Sequence, residues 1–525
     1  MPTEYRGLPL RGVHFDLKAH TMRPSMMMET ARDMARLGYN TILLEYQDKF
    51  PFSGALADIA SPDAMTPGEV AAFDALCREL GLRVIPLVQC LGHMHFVLRR
   101  PRFSSLGETN DVLCPSDARS FSLFCEMARQ IMALHPSCDY VHIGGDECRL
   151  SPDCPRCGDA PKAALLAPYY EKCADFILSH GKKPILWGDM LLAHPETLDR
   201  VRGKAVVMDW DYWTTGRPGC RSIVWGCDAA DPESWSDLHK RLIRPYIFSC
   251  EPYLRRPFPY LRFLRDQGFE VIAAPAVRCA GDSHFAPMSL HADNCREAVR
   301  RAASANALGV IVTSWAARRG PWALTENGLV SAAALMKNPG LSDEEADAAY
   351  AQDSFGVADP ALGHMPAILA DAAAKAAAVC DLCVVGILHP NEDIGEVEPY
   401  EVRQRVRGQV WRGNDAIAPA YAALAEAAGE AEALLSRARP ADERQRYRVE
   451  LWRWSIETAR VMADYAPLLA LDAIPRDAAA SLLARFEALR ETGDRLIAPR
   501  YTAESMKNDD YFRYGMHMEH LRKFL

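Results

Sequence analysis

Short apolar segments alternate with longer amphipathic segments from about residue 11 to about residue 320, and this alternation most limits the possible folds. Eight of the short segments have the β-branched or apolar character of strands: Val13–Leu17, Thr41–Tyr46, Arg83–Val88, Tyr140–Gly144, Pro184–Trp187, Ala205–Trp210, Glu270–Ala276 and Gly309–Trp315. Because helical segments separate most of these strands, the strands should pair in parallel. Their number and spacing predict an α/β fold with a (β/α)8 TIM barrel.

Two features of the segments between the strands bear on this prediction. Pro24–Leu37 has a helical period and is followed by Gly38, a typical helix stop. Pro245–Cys250 is a ninth possible strand, which we assign to an irregular crossover after the sixth strand. A doubly wound open sheet is the alternative fold. The absence of a glycine-rich phosphate loop after the first strand disfavours it.

The composition changes after about Pro339, where alanine becomes dense. Long helices are predicted in this part of the chain: Pro360–Val379, Glu401–Ala438, Ala441–Leu471 and Arg476–Ile497. We therefore expect a catalytic barrel over residues 1–340 and a C-terminal helical domain over residues 341–525. The helical domain should pack on the barrel or on a partner subunit, so a homodimer is one expectation.

Charge and hydropathy exclude several classes of partner. The 525 residues carry a net charge of −9 and contain no long run of Lys or Arg, which argues against a nucleic-acid surface. No uncharged apolar run reaches the roughly 18 residues that a membrane span needs. The first seven residues lack the basic-then-apolar pattern of a signal peptide, so we expect a cytoplasmic protein.

Reactive side chains collect where the predicted strands end, which is where the active site of such a barrel forms. They follow in strand order: Asp16, Glu45, Asp48, His93, His142, Asp146, Glu147, Trp187, Asp189, Trp210, Asp211, Tyr212 and Trp315. Tryptophan faces stack on the apolar faces of a sugar ring, and carboxylates supply hydrogen bonds and acid catalysis. The set is typical of a carbohydrate site.

Asp146 and Glu147 are adjacent, and this is unusual for a glycosidase. Neighbouring side chains of a strand point to opposite faces, so the pair can share a site only where the chain leaves the pleat. Gly144 and Gly145 make that departure easy. Ordinary retaining glycosidases need two carboxylates about 5–5.5 Å apart on opposite sides of the bond. An adjacent pair instead suits one acid for the leaving oxygen and one for a substituent of the same ring.

The segment His142–Glu147 resembles the His-x-Gly-Gly-Asp-Glu signature of the family 20 glycoside hydrolases, the β-N-acetylhexosaminidases. Other positions are similar to that family in the expected order, over roughly residues 7–330: Arg11-Gly12, Asp48, Gly92-His93, Trp187, Trp210 and Trp315. The resemblance implies an exo-acting enzyme that releases terminal GlcNAc or GalNAc from glycans with retention, and that needs no cofactor. The substrate would be a glycan or glycoconjugate ending in a β-linked N-acetylhexosamine.

The resemblance also implies a mechanism in which the substrate's acetamido oxygen attacks the anomeric carbon and forms an oxazolinium ion. Glu147 would be the general acid and base, and Asp146 would orient the acetamido N–H. His93 and Asp48 would form a relay to Glu147, and Tyr212 would hold the acetamido oxygen. The substrate-binding residues would be Arg11, which would bind the outer hydroxyls, together with His142, Trp187, Trp210 and Trp315.

Two departures from the family pattern leave the choice between gluco and galacto sugars open. Trp315 is followed by Ala316 and Ala317 where many members have a glutamate two residues later, and Glu326 is the substitute that we expect. The seventh strand lacks the family's Tyr and Asp. A non-catalytic sugar-binding barrel is one alternative function. A retaining glycosidase with a protein nucleophile such as Asp282 is the other.

The cysteines after the fourth strand suggest a metal. Cys154-Pro155-Arg156-Cys157 is a CxxC segment with Cys148 six residues upstream, which predicts a structural zinc site formed by Cys148, Cys154 and Cys157. A fourth ligand would come from elsewhere, for example Cys114 or Cys173. Free thiols or a disulfide are the alternatives. The metal would brace the loop and take no part in the chemistry.

Overall fold

The computed structural model describes the side chains and backbone of most of the chain. The described residues are 7–18, 20–217, 222–248, 255–279, 288–315, 320–380, 382 and 410–525. Asp282 lies outside them. The chain forms two compact units. The first comprises Met1–Lys18, Met27–Ala276 and Asn294–Thr313, and the second comprises Ala19–Met26, Val277–Asp293 and Ser314–Leu525.

The first unit is built on a closed parallel barrel. The strands are β1 Leu10–Asp16, β2 Thr41–Glu45, β3 Arg83–Leu87, β4 Tyr140–His142, β5 Lys183–Trp187, β6 Val206–Trp210, β7 Val271–Ala274, β8 Ala276–Arg278 and β9 Gly309–Ser314. Strands β1 to β7 pair in sequence order, β7 pairs with β9, and β9 pairs with β1. Eight parallel strands therefore close the barrel, and the predicted (β/α)8 fold is confirmed.

Two glycines let the barrel close between β1 and β9. A Cβ on Gly12 would lie 2.7 Å from Ile311 Cγ1, and a Cβ on Gly309 would lie 2.2 Å from Leu10 O. Real Cβ atoms do not approach other atoms so closely, so a larger side chain at either position would force these strands apart. The barrel strands are otherwise nearly continuous apolar segments, because both faces of a parallel sheet are covered.

Helices follow most of the strands. Up to residue 304 they are α1 Pro24–Leu37, α2 Pro67–Glu79, α3 His95–Leu98, α4 Ala118–Leu134, α5 Lys162–Ser179, α6 Asp189–Ala193, α7 Leu198–Val201, α8 Asp237–Leu242, α9 Arg244–Ile247, α10 Pro259–Asp266 and α11 Met288–Ser304. Helix α2 begins with a capping box in which Thr66 and Glu69 satisfy each other's backbone N–H groups. Arg244–Ile247 is helical, so the possible ninth strand there is not part of the barrel.

The second unit is mainly helical. Its helices after residue 320 are α12 Glu326–Lys337, α13 Asp343–Phe355, α14 Pro360–Val379, α15 Ile417–Leu435, α16 Glu443–Tyr465, α17 Arg476–Ile497, α18 Ala503–Asp510 and α19 Met516–Arg522. The helix expected over residues 401–438 is shorter where it is described, and residues 401–409 lie outside the described part. The expected boundary at residue 340 falls between α12 and α13. In the described part of the chain, no helix is long and apolar enough to cross a membrane.

Candidate active site

The chain leaves the pleat directly after β4, as the glycine pair predicts. Gly144 and Gly145 have φ angles of 66° and 89°, and Glu147 has a φ of 48°. A Cβ on Gly144 would lie 1.9 Å from Gln89 Oε1, and one on Gly145 would lie 2.6 Å from Leu186 Cδ1. Left-handed backbone and close neighbours both require glycine at these two positions. The resulting turn brings Asp146 and Glu147 to the same end of the barrel.

Both acids approach one nitrogen of His93. Asp146 Oδ2 lies 3.1 Å from His93 Nε2, and Glu147 Oε2 lies 3.5 Å from the same atom. Asp146 is buried, whereas the Glu147 side chain is 42% exposed. Among the described residues, Asp146 Oδ1 has no hydrogen-bond partner. The two neighbouring carboxylates therefore lie in different surroundings. Asp146 is buried and held by His93, whereas Glu147 is open to a substrate.

His93 is charged at neutral pH. Burial of the ring opposes its charge, but the Asp146 carboxylate raises the pKa of His93 to about 10. The residue has a φ of 54°, which histidine adopts more readily than most side chains. The preceding Gly92 lies against the turn after β4, since its Cβ would be 2.4 Å from Asp146 O. The imidazolium is thus held between the two acids.

The expected relay through Asp48 is wrong. Arg99 Nη2 donates to Asp48 Oδ2 at 2.7 Å, and in the described part of the chain Asp48 has no ion pair with His93. Burial raises the pKa of Asp48. The acid beside His93 Nδ1 is instead Asp111, at 3.9 Å. Asp111 lies in the long segment between β3 and α4, which folds back over His93. Sequence patterns within a few residues do not predict such a contact.

His142 is neutral and directed by the turn. Its Nδ1 accepts the Gly144 N–H at 3.0 Å, so the ring proton is on Nε2. Burial lowers the pKa of His142 to about 3. The described residues offer no acceptor to Nε2. The ring packs on Trp187, with 4.5 Å between centroids. Trp187 is itself fully buried and packs against the His142 ring.

An aromatic group follows β6. Trp210 stacks on Tyr212 with 5.0 Å between ring centroids, and both are buried. Asp211 Oδ1 accepts the backbone N–H groups of Trp213 and Thr214, which shapes the turn. Trp213 is 45% exposed and neighbours both rings. Trp213 is not among the residues predicted from the sequence, although it directly follows Tyr212.

Asp189 is among the reactive side chains predicted at the strand ends, and the structure gives it a contact with the turn after β4. Its Oδ2 accepts the Glu147 backbone N–H at 2.9 Å and so supports the left-handed turn at the exposed acid. Burial, followed by the nearby Asp146 charge, raises the pKa of Asp189 to about 7. Asp189 is the first residue of α6 and lies just after β5, at the end of the barrel where the acids were expected.

A buried charged group occupies the ends of β1 and β2. Lys18 Nζ lies 3.1 Å from Glu45 Oε1 and 3.7 Å from Asp16 Oδ2, and His14 Nε2 lies 3.3 Å from Glu45 Oε2. Burial opposes ionisation of Glu45, but Lys18 and His14 hold the pKa of Glu45 well below its usual range. Lys18 was also missed, because it follows the strand end by two residues.

Two of the expected substrate-binding residues face other partners. Arg11 is the second residue of β1, at the amino end of the strand, and donates to Gly38 O and Leu8 O, each at 3.0 Å. The active-site end of a barrel is the carboxyl end, so Arg11 cannot bind the outer hydroxyls there. Glu326 lies in the second unit with both carboxylate oxygens bound by Arg448, at 2.5 and 2.7 Å. Neither expected role fits the structure.

Trp315 and the cysteines complete the expected set. Trp315 belongs to the second unit and directly follows β9. Its backbone N–H donates to Arg278 O at 3.1 Å. Cys154 and Cys157 converge with Cys114 and Glu108. Cys148 does not join them, because its Sγ donates to Asp146 O at 3.3 Å beside the catalytic turn. Of the three cysteines expected to bind a metal, Cys148 therefore lies outside the group that Cys154 and Cys157 form.

Comparisons with known proteins bear on the same part of the chain. The sequence profile of "Glycosyl hydrolase family 20, catalytic domain" matches residues 67–220. Human hexosaminidase D is 33% identical over 222 residues, which are 39% of this chain and 45% of that protein. Bovine hexosaminidase D is 32% identical over 219 residues, 39% of this chain and 63% of that protein. The chain is therefore similar to glycosyl hydrolase family 20 over residues 67–220.

A solved structure is also similar to this chain. It is the Streptomyces plicatus N-acetyl-beta-hexosaminidase in complex with Thio-NAglucal, with a TM-score of 0.47 and 15% identity over 69% of each chain. The chain spans about half of the length of human hexosaminidase D and just under two thirds of the bovine protein.

The range matched to family 20 contains the whole cluster around His93, from β3 to the turn after β6. Asp111, Asp146, Glu147 and Asp189 all fall within it. Arg11 and Glu326, whose expected roles the structure contradicts, both lie outside it. The similarity to family 20 thus lies in the same segment that builds the site.

Proposed function

We propose that the chain is an exo-acting retaining β-N-acetylhexosaminidase whose nucleophile is the substrate's own acetamido oxygen. The observation that carries the proposal is the convergence of two adjacent acids on His93 Nε2, at 3.1 and 3.5 Å, with one acid buried and the other exposed. The name of the curated relatives, hexosaminidase D, supports a hexosamine as the substrate.

Asp146 has the surroundings of a group that orients an amide. The His93 imidazolium holds its Oδ2 in place and keeps a negative charge favourable in a buried position. Its Oδ1 is buried and unengaged among the residues described, so it is available to accept the acetamido N–H. A carboxylate in this position directs the amide oxygen towards the anomeric carbon and stabilises the positive charge that develops on the ring.

Glu147 has the surroundings of a general acid and base. Its side chain reaches solvent, so it can protonate the leaving oxygen and afterwards take a proton from water. The backbone bond to Asp189 holds the turn that presents it. Proton transfer of this kind contributes about 10²–10⁴-fold to the rate. Positioning the internal nucleophile contributes more, because effective molarities reach roughly 10⁵ M and above.

Two other acids at the ends of the strands are engaged. Glu45 is bound by Lys18 and His14, and Asp211 accepts hydrogen bonds from Thr214 and Trp213. Within the described ranges this favours a nucleophile supplied by the substrate over one supplied by the protein. The presence of both Asp146 and Glu147 disfavours a non-catalytic sugar-binding barrel, which has no use for a second acid.

The sugar would rest near the aromatic group after β6. Trp210, Tyr212 and Trp213 offer ring faces beside the acids, and His142 offers an Nε2 proton to a hydroxyl. The proposal includes both terminal GlcNAc and terminal GalNAc as substrates. Arg11 and Glu326 were expected to contact the outer hydroxyls but have other partners, so they give no basis for a choice between the two sugars. The catalytic steps require no cofactor.

Paired chromogenic β-glycosides test the proposal. We expect hydrolysis of the N-acetylglucosamine and N-acetylgalactosamine derivatives and very little hydrolysis of the glucose and galactose derivatives. A thiazoline analogue of the cyclic intermediate should inhibit competitively. Equal rates on the plain and acetamido sugars would mean that the protein supplies the nucleophile, and no activity of any kind would favour the sugar-binding alternative.

A further inference from the structure

Four side chains with metal-binding atoms converge between two loops beside the active site. Glu108 and Cys114 lie in the β3 loop, which we define as residues 88–117. Cys154 and Cys157 lie in the β4 loop, residues 143–161. One oxygen of the carboxylate and the three sulfurs all lie within 4.8 Å of one another. The three cysteines are buried. This group is separate from the acids around His93.

The spacing of the sulfurs matches a tetrahedral metal site. Cys114 Sγ lies 3.8 Å from Cys154 Sγ and 3.6 Å from Cys157 Sγ. With Zn–S bonds of about 2.3 Å, two sulfurs on a tetrahedral ion are about 3.8 Å apart. A disulfide requires about 2.05 Å and can join only two of the three sulfurs. The arrangement therefore fits a shared ion better than a covalent pair.

Glu108 is oriented as a fourth ligand. Its Oε1 lies 2.6 Å from Cys157 Sγ, so the carboxylate points into the group of sulfurs. Its Oε2 accepts the Ser151 N–H at 2.9 Å, a bond that fixes the carboxylate from outside. Ligating carboxylates are commonly held by such outer hydrogen bonds. Four ligands of this kind complete a closed structural site.

The segment Cys154–Gly158 has the shape of a metal-binding turn. The Cys157 N–H donates to Cys154 O at 3.2 Å. Gly158 donates to Cys154 O at 2.9 Å and has a φ of 55°, which turns the chain away after the second cysteine.

We propose that Glu108, Cys114, Cys154 and Cys157 bind one structural Zn²⁺ that ties the β3 loop to the β4 loop. Binding displaces the thiol protons of the three cysteines. Thiolate-rich tetrahedral sites favour zinc among the common divalent ions.

The ion acts on the active site through the two loops. The β3 loop carries His93 and Asp111, and it is tied to itself by the bond from Met94 N–H to Asp111 O at 2.8 Å. The β4 loop contains Glu147, whose carbonyl accepts the Arg149 N–H at 2.7 Å. The zinc ligands are thus positioning residues for the acids and for His93, and none of them touches the substrate.

Metal analysis of the full chain, expressed with zinc and purified under reducing conditions, tests the proposal. We expect one zinc per chain. Replacement by Co²⁺ should give the intense visible absorption of a tetrahedral thiolate complex. A zinc content below about one tenth per chain would overturn the proposal, and so would a disulfide among the three cysteines in the intact protein.

Matched variants locate the ion. Cys154→Ser and Glu108→Gln should lower the zinc content, and the milder Glu108→Gln should do so without loss of folding. Cys148→Ala and Cys125→Ser change buried cysteines outside the group and should leave the zinc content at one per chain. Zinc removal should also make the β3 and β4 loops more sensitive to limited proteolysis. Retention of zinc in both ligand variants would assign the metal to another place.

Discussion

His93→Asn removes the charge between the two acids while keeping a residue type that tolerates the φ of 54° at this position. In the wild-type protein the imidazolium lies 3.1 Å from Asp146 Oδ2 and 3.5 Å from Glu147 Oε2. A hydrogen bond to a charged group contributes about 1.5–3 kcal/mol. The imidazole is 30% exposed, so solvent screening keeps the effect within this range and below that of a fully buried pair.

The expected loss follows from that free energy. Each 1.36 kcal/mol is a factor of ten, so kcat/KM at pH 7 should fall by roughly 10- to 150-fold. The assay is kcat/KM on a chromogenic N-acetylglucosaminide, with His180→Asn as the control because His180 is an exposed residue at the end of α5. A loss smaller than about threefold would refute the role of the imidazolium.

The pH dependence provides an independent readout of the same variant. The folded pKa of His93 is raised from 6.5 to about 10. Its contribution is therefore fully present below pH 6.5 and is lost as pH rises through about 10. Wild-type activity should show a basic limb with an apparent pKa near 10 that His93→Asn lacks. An unchanged basic limb in the variant would assign that titration to another group.

Three further predictions follow from the structure. Burial raises the pKa of Asp189 to about 7, so keeping this carboxylate charged in the folded protein costs more stability at pH 8 than at pH 5. Asp189→Asn should therefore raise the midpoint of thermal unfolding more at pH 8 than at pH 5. An equal change at both pH values would contradict the assigned pKa. Arg11→Ala should lower the free energy of unfolding by about 1–3 kcal/mol through the lost bonds to Gly38 O and Leu8 O, while KM stays within about twofold of wild type; a large rise in KM would restore the substrate role. Glu326→Gln should destabilise the second unit by about 3–5 kcal/mol in denaturant unfolding, because Arg448 would be left buried without its counter-charge.

Much of the barrel could be predicted because its signals are local. Each strand is a short apolar segment, and the separating helices dictate parallel pairing. The turn after β4 was also predictable, because the pair Gly144-Gly145 is visible in the sequence. The structure requires glycine at both positions. The acids Asp146 and Glu147 therefore lie where the sequence places them. The cytoplasmic location and the homodimer stay predictions.

The errors arise where position depends on the rest of the fold. Arg11 resembles the family's arginine by its local motif, but β1 begins at Leu10 and so leaves Arg11 at the opposite end of the strand. Asp48 was assigned to His93 by the family resemblance, whereas the β3 loop folds back and supplies Asp111. The same loop delivers Glu108 and Cys114 to the cysteines of the β4 loop. Contacts between distant segments of a long loop have no periodic signal in the sequence.

The nucleophile is tested most directly by a series of N-acetylglucosaminides whose acetamido methyl group carries no, one, two or three fluorine atoms. Fluorine withdraws electrons from the amide oxygen and weakens it as a nucleophile, while the leaving group stays the same. If the acetamide attacks the anomeric carbon, kcat/KM should fall steeply with each added fluorine. A flat series with wild-type protein would contradict the account, because Asp146 would then be orienting a group that takes no part in the reaction.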